Sequence, residues 1–192
     1  MSLTMNAKYW SSRYQNKQTE WDLGEVSAPL VEIFRGIKKS AKILIPGCGN
    51  AYEAEFLFNS GYKNVYLIDI AKEPLETFRK RNEGFPEHQI ILGDFFNHFG
   101  IYDFIIEQTF FCTIKPAIRS KYVLKTHKLL KSDGALIGVL FDRKFEGGPP
   151  FGGSKNEYQN LFNKVFREVE IKECVHSIQP RLGHEVTIKC VK

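Results

Sequence analysis

Ala41-Lys42-Ile43-Leu44-Ile45-Pro46-Gly47-Cys48-Gly49-Asn50 is the stretch on which the reading of this 192-residue chain turns. Ala41 to Ile45 has the apolar weight of a buried strand, Gly47 and Gly49 punctuate a tight turn, and Ala51 to Asn59 reads as a helix stopped by Gly61. Strand, glycine turn and helix make the first half of a βαβ unit.

The same rhythm continues outward. Val65 to Asp69 reads as a second strand and Lys72 to Asn82 as a second helix, whose Pro74 suits a first turn where no N–H is needed. Gln89 to Leu92 and Tyr102 to Glu107 supply a third and a fourth strand. Pro116 to Leu130 is a long helix that stops near Asp133-Gly134, and Ala135 to Phe141 is the fifth strand. After the turn-forming Gly147-Gly148-Pro149-Pro150-Phe151-Gly152-Gly153, a helix is expected from Asn156 to Asn163. Arg167 to Val175 and Glu185 to Val191 alternate as two final strands with no helix between them. The expectation is a single α/β domain over residues 1–192: a mostly parallel seven-stranded, Rossmann-like sheet with an antiparallel final pair and helices on both faces. Residues 1–40 stand outside this rhythm. They hold both tryptophans and a helix from Ala28 to Ile37, and read as an aromatic cap over a core of residues 41–192.

Composition bounds the function. With 43% hydrophobic and 26% charged residues the chain is ordinary globular material, and its 16 phenylalanines are numerous enough that some should line a pocket. The net charge of +5 is spread along the chain among acidic residues, so no nucleic-acid partner is expected. Cys48, Cys112, Cys174 and Cys190 form no C-x-x-C pair and have no histidine at ligand spacing, which argues against a metal. No apolar run approaches the roughly 20 residues of a bilayer span, and no signal-peptide layout opens the chain; no membrane partner and a cytoplasmic location are expected. Met1-Ser2-Leu3, ahead of a second methionine at Met5, reads as a cloning remnant.

The chemistry should sit beyond the carboxyl ends of the strands, where strand order reverses. Gly47-Cys48-Gly49 would let the backbone approach a ligand closely. Asp69, 22 residues after Gly47, ends the second strand, where a carboxylate can accept two ribose hydroxyls or cap the following helix. A dinucleotide site would continue to a third glycine, but that position is Tyr52, and Glu53 and Glu55 crowd the helix start. Carboxylates there favour the helix dipole and repel a pyrophosphate. A phosphate-free sulfonium cofactor, S-adenosylmethionine, fits better. Asp94 beside Phe95 and Phe96 can bond an adenine amino group and cover its face, or cap a short turn beside core rings.

These residues lead to a family. Trp10-x3-Tyr14-x6-Trp21-Asp22, Ile45-Pro46-Gly47-Cys48-Gly49, Thr109-Phe110-Phe111-Cys112, Gly147-Gly148-Pro149-Pro150-Phe151 and Pro180-Arg181-x-Gly183-x-Glu185 together resemble the thiopurine methyltransferase superfamily of class I methyltransferases. The likeness is greatest to its halide/thiol branch and spans nearly the whole chain. It implies S-adenosylmethionine as cofactor, S-adenosylhomocysteine as product, and cofactor contacts at Trp10, Tyr14, Trp21, Gly47, Gly49, Asp69, Asp94, Phe95 and Gln108. Tyr14 stands where that branch commonly has tryptophan, and Gln108 where it commonly has tyrosine; the second change bears on substrate choice. Ring faces in the cap would attract a sulfonium, although Trp10 and Trp21 also suit core anchors.

Methyl transfer is an in-line displacement that mainly asks for alignment and exclusion of water. The expected acceptor is a small soft nucleophile: a halide, thiocyanate, hydrosulfide or thiol. Gln108, Phe110, Phe111 and Phe151 are the expected pocket walls, with Arg181 as an anion steerer or as a partner of Glu185. Cys48 and Cys112 are expected at the pocket as small buried hydrophobes, and a monomer is expected. A thiopurine or aryl-thiol methyltransferase and a non-catalytic adenosyl-ligand binder are the alternatives. An amino-methyltransferase of nucleic acids would carry Pro-Pro-aromatic directly after the fourth strand; here Pro149-Pro150-Phe151 follows the fifth.

Overall fold

The structure is a computed structural model that describes residues 5–192, so the reading of Met1-Ser2-Leu3 lies outside the described residues. Seven strands form one sheet in the order β3-β2-β1-β4-β5-β7-β6. They are β1 (Ile43–Pro46), β2 (Val65–Asp69), β3 (Ile90–Leu92), β4 (Tyr102–Gln108), β5 (Leu130–Phe141), β6 (Glu168–Glu173) and β7 (Glu185–Val191). The first five run parallel to one another, whereas β7 runs antiparallel to both β5 and β6. This is the mostly parallel, Rossmann-like sheet with a reversed final pair that the sequence predicts. The chain reverses its direction of growth between β1 and β4, and a crevice opens there beyond the carboxyl ends of both strands.

Strand β1 shows how the core divides. Ile43 and Ile45 face a layer built with Leu30 and Phe34 of α2 (Ala28–Phe34), Leu57 of α3 (Tyr52–Asn59) and Phe78 of α4 (Lys72–Arg81). Leu44 points the other way, toward Tyr122 and Val123 of α5 (Arg119–Leu129) and Phe162 of α6 (Lys155–Phe162). Alternate side chains of a strand leave opposite faces, so both faces need a helical cover. Leu44 is fully buried, and shielding such a side chain contributes about 2 kcal/mol.

Three local departures from the sequence reading have physical reasons. First, β5 begins at Leu130, five residues before the predicted start, and takes Asp133 at φ +61° as a bulge within the strand instead of a loop before it. The pairing with β4 shifts register there, and Asp133-Gly134 is the turn signal that marks it. Second, Pro116–Ile118 is a 3-10 turn, so the predicted long helix starts only at Arg119. Third, the cap contains a helix the sequence reading does not include, α1 (Ala7–Gln15), started by the Asn6 side chain accepting the Tyr9 N–H at 3.1 Å. No α1 residue is fully buried, which is why a core pattern does not reveal it. No helix among the described residues is long and apolar enough to cross a membrane, and no described group of His, Cys, Asp and Glu could hold a metal.

Candidate active site

The turn after β1 forms the floor of the crevice. Gly47 and Gly49 take φ +54° and +53°, in the left-handed region that favours glycine. Space imposes a second demand. A Cβ on Gly47 would stand 2.2 Å from the Phe110 ring, and one on Gly49 would stand 2.9 Å from the Tyr14 hydroxyl. The turn is therefore pressed between the end of β4 and the cap.

Asp69 ends β2 and is 8% exposed. Its Oδ2 accepts the Gly49 N–H at 2.9 Å and its Oδ1 accepts the Ala71 N–H at 2.9 Å. It is not the N-cap of α4, a position Ala71 takes without a side-chain cap; its bond to Ala71 closes the turn before that helix. Asp69 also lines the crevice, and each carboxylate oxygen keeps a lone pair for a ligand hydroxyl. Burial pushes its carboxyl above the ordinary range, offset in part by the Ala71, Gly49 and Ile70 N–H groups. Asp94 similarly accepts the Phe96 N–H at 2.8 Å, opening a 3-10 turn over Phe95–Asn97. Asp94 and Phe95 both line the crevice.

The cap closes the opposite side. Trp10 and Tyr14, four apart on one face of α1, meet Trp21 edge-on, with ring centroids 5.6 and 5.8 Å from it. All three are only half-buried and line the crevice, so they are wall residues and not core anchors. Among the polar links that hold the cap down, two span the crevice mouth. The Asn50 side-chain amide donates to Asp22, and Arg181 Nη2 donates to the Trp21 carbonyl at 3.0 Å. Arg181 also faces Glu185 at 3.5 Å and lies over the Phe141 ring at 5.4 Å. The predicted Arg181–Glu185 pair exists, but well covered rather than on the surface: the two side chains are 11% and 5% exposed.

The end of β4 supplies the third wall. Gln108 lines the crevice with its Oε1 buried and without a hydrogen-bond partner. Phe110 lies beside it over Gly47. Two predicted wall residues are elsewhere. Phe111 does not line the crevice; it turns into the core against Tyr122, Tyr158 and Phe162, with the Arg119 guanidinium 4.5 Å above its ring. Phe110 opens the 3-10 turn Phe111–Thr113, and a helical turn sends consecutive side chains in different directions, Phe110 to the crevice and Phe111 to the core. Phe151 gives only backbone: its N–H donates to the Cys112 carbonyl at 2.6 Å, and its own carbonyl accepts from buried Arg119. Pro149 and Pro150 line the crevice in its place. Cys48 and Cys112 are buried at the lining, and burial pushes the Cys112 thiol up to about 12, so neither behaves as a ready nucleophile.

The sequence reading passed over Arg13 and Arg143, which also line the crevice, and Glu107, which stands directly behind it. A charged residue closing a strand that otherwise reads as buried is the signal that could have singled out Glu107.

The crevice has a volume of about 750 Å³. Its donor set fits S-adenosylmethionine: spare carboxylate lone pairs at Asp69, a bare amide oxygen at Gln108, half-buried ring faces in the cap, and acidic Glu53 where a pyrophosphate would need cations. Glu55 no longer counts in that last argument, because Arg81 pairs with it.

A family model described as Thiopurine S-methyltransferase matches residues 5–192. The chain is 31% identical over 187 residues to "Probable thiol methyltransferase 2" of Arabidopsis thaliana, covering 92% of this chain and 81% of that one. It is 27% identical over 184 residues to thiocyanate methyltransferase 1 of Brassica oleracea, with the same coverages of 92% and 81%. It is also 26% identical over 196 residues to the thiopurine S-methyltransferase of Acinetobacter baylyi, covering 88% and 89%. Among solved structures, magnesium protoporphyrin IX methyltransferase from Synechocystis with bound S-adenosylmethionine superposes with a TM-score of 0.72 over all of both chains at 13% identity. A Burkholderia thailandensis N1-methyltransferase also reaches 0.72, at 15% identity, over 97% of this chain and 86% of that one. At such identities these two likenesses speak for the fold alone.

Proposed function

Because the chain belongs to the thiopurine S-methyltransferase family and is therefore an S-adenosylmethionine-dependent methyltransferase, we propose that its acceptor is a small soft nucleophile: a thiol, hydrosulfide, thiocyanate or halide. The observation that carries this reading is the crevice itself. Its floor joins Asp69 to Gly49, its cap is aromatic, and its β4 side combines a bare Gln108 oxygen with apolar walls from Phe110, Pro149 and Pro150.

Asp69 would hold the ribose hydroxyls, Asp94 and Phe95 the adenine, and Trp10, Tyr14 and Trp21 the sulfonium end, with Gly47, Gly49 and Gln108 completing the contacts. When bound, the cofactor supplies a methyl group already activated by its positive sulfur. The residues of this chain then need to bind, orient and keep out water. Phe110, Pro149 and Pro150 strip hydration from a soft anion, and Arg181 at the rim favours the anionic acceptor over its protonated form. Neither Cys48 nor Cys112 is needed as a relay, and no general base is invoked. The cap and the core act as one unit in this scheme, because Arg181 and Asn50 tie them across the opening.

The volume favours a second acceptor class as well. About 750 Å³ lies in the upper part of the roughly 300–1,000 Å³ range of small-molecule sites, which suits an aryl thiol or thiopurine beside the cofactor. A panel of iodide, thiocyanate, hydrosulfide, aryl thiols and thiopurines, each with methyl-labelled cofactor, separates the readings. At least one labelled product is expected. A protein that binds cofactor and methylates none of them is a binder instead.

A further inference from the structure

Glu107 is fully buried at the penultimate position of β4, outside the crevice lining, and it is engaged on both carboxylate oxygens. Its Oε1 accepts the Phe110 N–H at 2.8 Å and the Phe111 N–H at 2.7 Å. Its Oε2 accepts the Tyr122 hydroxyl at 2.7 Å. Between the carboxylate and those N–H groups lies Thr109 at φ +56°, a left-handed backbone that a β-branched residue avoids unless its surroundings impose it. The Thr109 hydroxyl is turned onto the Gln108 carbonyl at 2.8 Å, and the Thr109 carbonyl accepts the Cys112 thiol at 3.1 Å. This forced turn lets Gln108 and Phe110 line the crevice while Phe111 enters the core.

We propose that Glu107 is a positioning residue for the acceptor side of methyl transfer: its side chain holds the strained Thr109 turn that presents Gln108 and Phe110 to the crevice. The proposal rests on the methyltransferase reading above. It adds a residue that touches neither cofactor nor acceptor and acts wholly through two backbone N–H groups. An acceptor that clamps two consecutive amides can offset the strain of the residue just before them, much as a side-chain cap offsets a helix start. Misplacing a wall by an ångström is enough to spoil an in-line alignment.

The test compares Glu107→Leu, Glu107→Gln and the double variant Glu107→Leu/Thr109→Gly. Glu107→Leu should lower kcat/KM for the acceptor at least about 100-fold while the cofactor Kd stays within about threefold. Glu107→Gln, whose amide oxygen can still accept both N–H groups, should retain activity within about fivefold of wild type. Adding Thr109→Gly to Glu107→Leu should recover at least about tenfold, because glycine enters the left-handed region without being held there. A purely structural role would not be repaired by removing a side chain at the neighbouring turn. Iodoacetamide labelling of Cys112, mapped by mass spectrometry, needs no turnover: it should accelerate in Glu107→Leu and slow again in the double variant. Cys174 and Cys190, buried elsewhere, should stay unlabelled and so report that the fold is intact. Unchanged acceptor kinetics and Cys112 labelling in Glu107→Leu, or no recovery in the double variant, overturns the proposal. If wild type methylates nothing, the functional reading fails, and the Cys112 labelling still decides whether Glu107 holds the turn.

Discussion

The Asp69 carboxylate accepts the Gly49 N–H at 2.9 Å, so the end of β2 holds the backbone of the glycine turn that follows β1. One side chain thereby shapes the floor of the crevice and offers it a charge. Asp69→Ala should raise the S-adenosylmethionine Kd at least about 30-fold by calorimetry, since both the clamp on Gly49 and the charged acceptor are lost. Unaltered affinity would remove Asp69 from the cofactor site.

The aromatic cap can be tested by charge. S-adenosylmethionine and S-adenosylhomocysteine differ in a methyl group and a positive charge at sulfur. Trp10→Leu should therefore weaken the sulfonium form by roughly 5- to 30-fold and the thioether product much less. Equal losses for both ligands would mean that Trp10 supplies area and not cation recognition.

Arg181 links the last third of the chain to the cap through the Trp21 carbonyl. Both tryptophans of the chain lie in the cap, so their fluorescence reports on it directly. Arg181→Met should increase acrylamide quenching, raise the acceptor KM, and cost about 2 kcal/mol of stability by leaving the Glu185 carboxylate buried without its cation. Quenching identical to wild type would refute the link.

Glu107 should leave a signature in the pH dependence of stability. Burial pushes its carboxyl up to about 7, with the Phe111 N–H, the Tyr122 hydroxyl and the Phe110 N–H pulling partly back. A carboxyl with a higher pKa folded than unfolded favours the fold most below about pH 4.5, and that contribution is gone above about pH 7. Between these limits wild type should lose about 3 kcal/mol that Glu107→Gln does not, because the amide cannot titrate. Urea denaturation of both proteins at pH 4.5 and 7.5 gives the difference; parallel changes would show that Glu107 titrates normally.

Much of this was legible in the chain, and the reasons differ by element. Strands β1, β2, β4 and β7 announce themselves because each is a short apolar or alternating run with a clear stop, and the glycine turn with Asp69 fixes where the site must open. Gln108 and Phe110 line the crevice, the side that their motif position suggests. Phe111 and Phe151 do not line it, because a motif gives adjacency and says nothing of which way each side chain leaves the backbone. Helix α1 escaped because it lies on the crevice wall and against the exposed side of α4, with no residue of its own in the buried core. Glu107 escaped for another reason: its partners are backbone N–H groups, which no residue-type pattern records.

The antiparallel end of the sheet also dictates an order of assembly on the ribosome. Strand β7 lies between β5 and β6 and pairs with both, although it is synthesised after either. Until Glu185 to Val191 emerge, β5 presents an open edge, β6 has no neighbour, and Arg181 has only just become available to reach Trp21. A nascent chain can therefore build the glycine turn and its aspartate early, yet it cannot shut the crevice until Arg181 and the strand that follows it are available. The unfinished protein is open at one sheet edge, and chaperone engagement during synthesis should concentrate there.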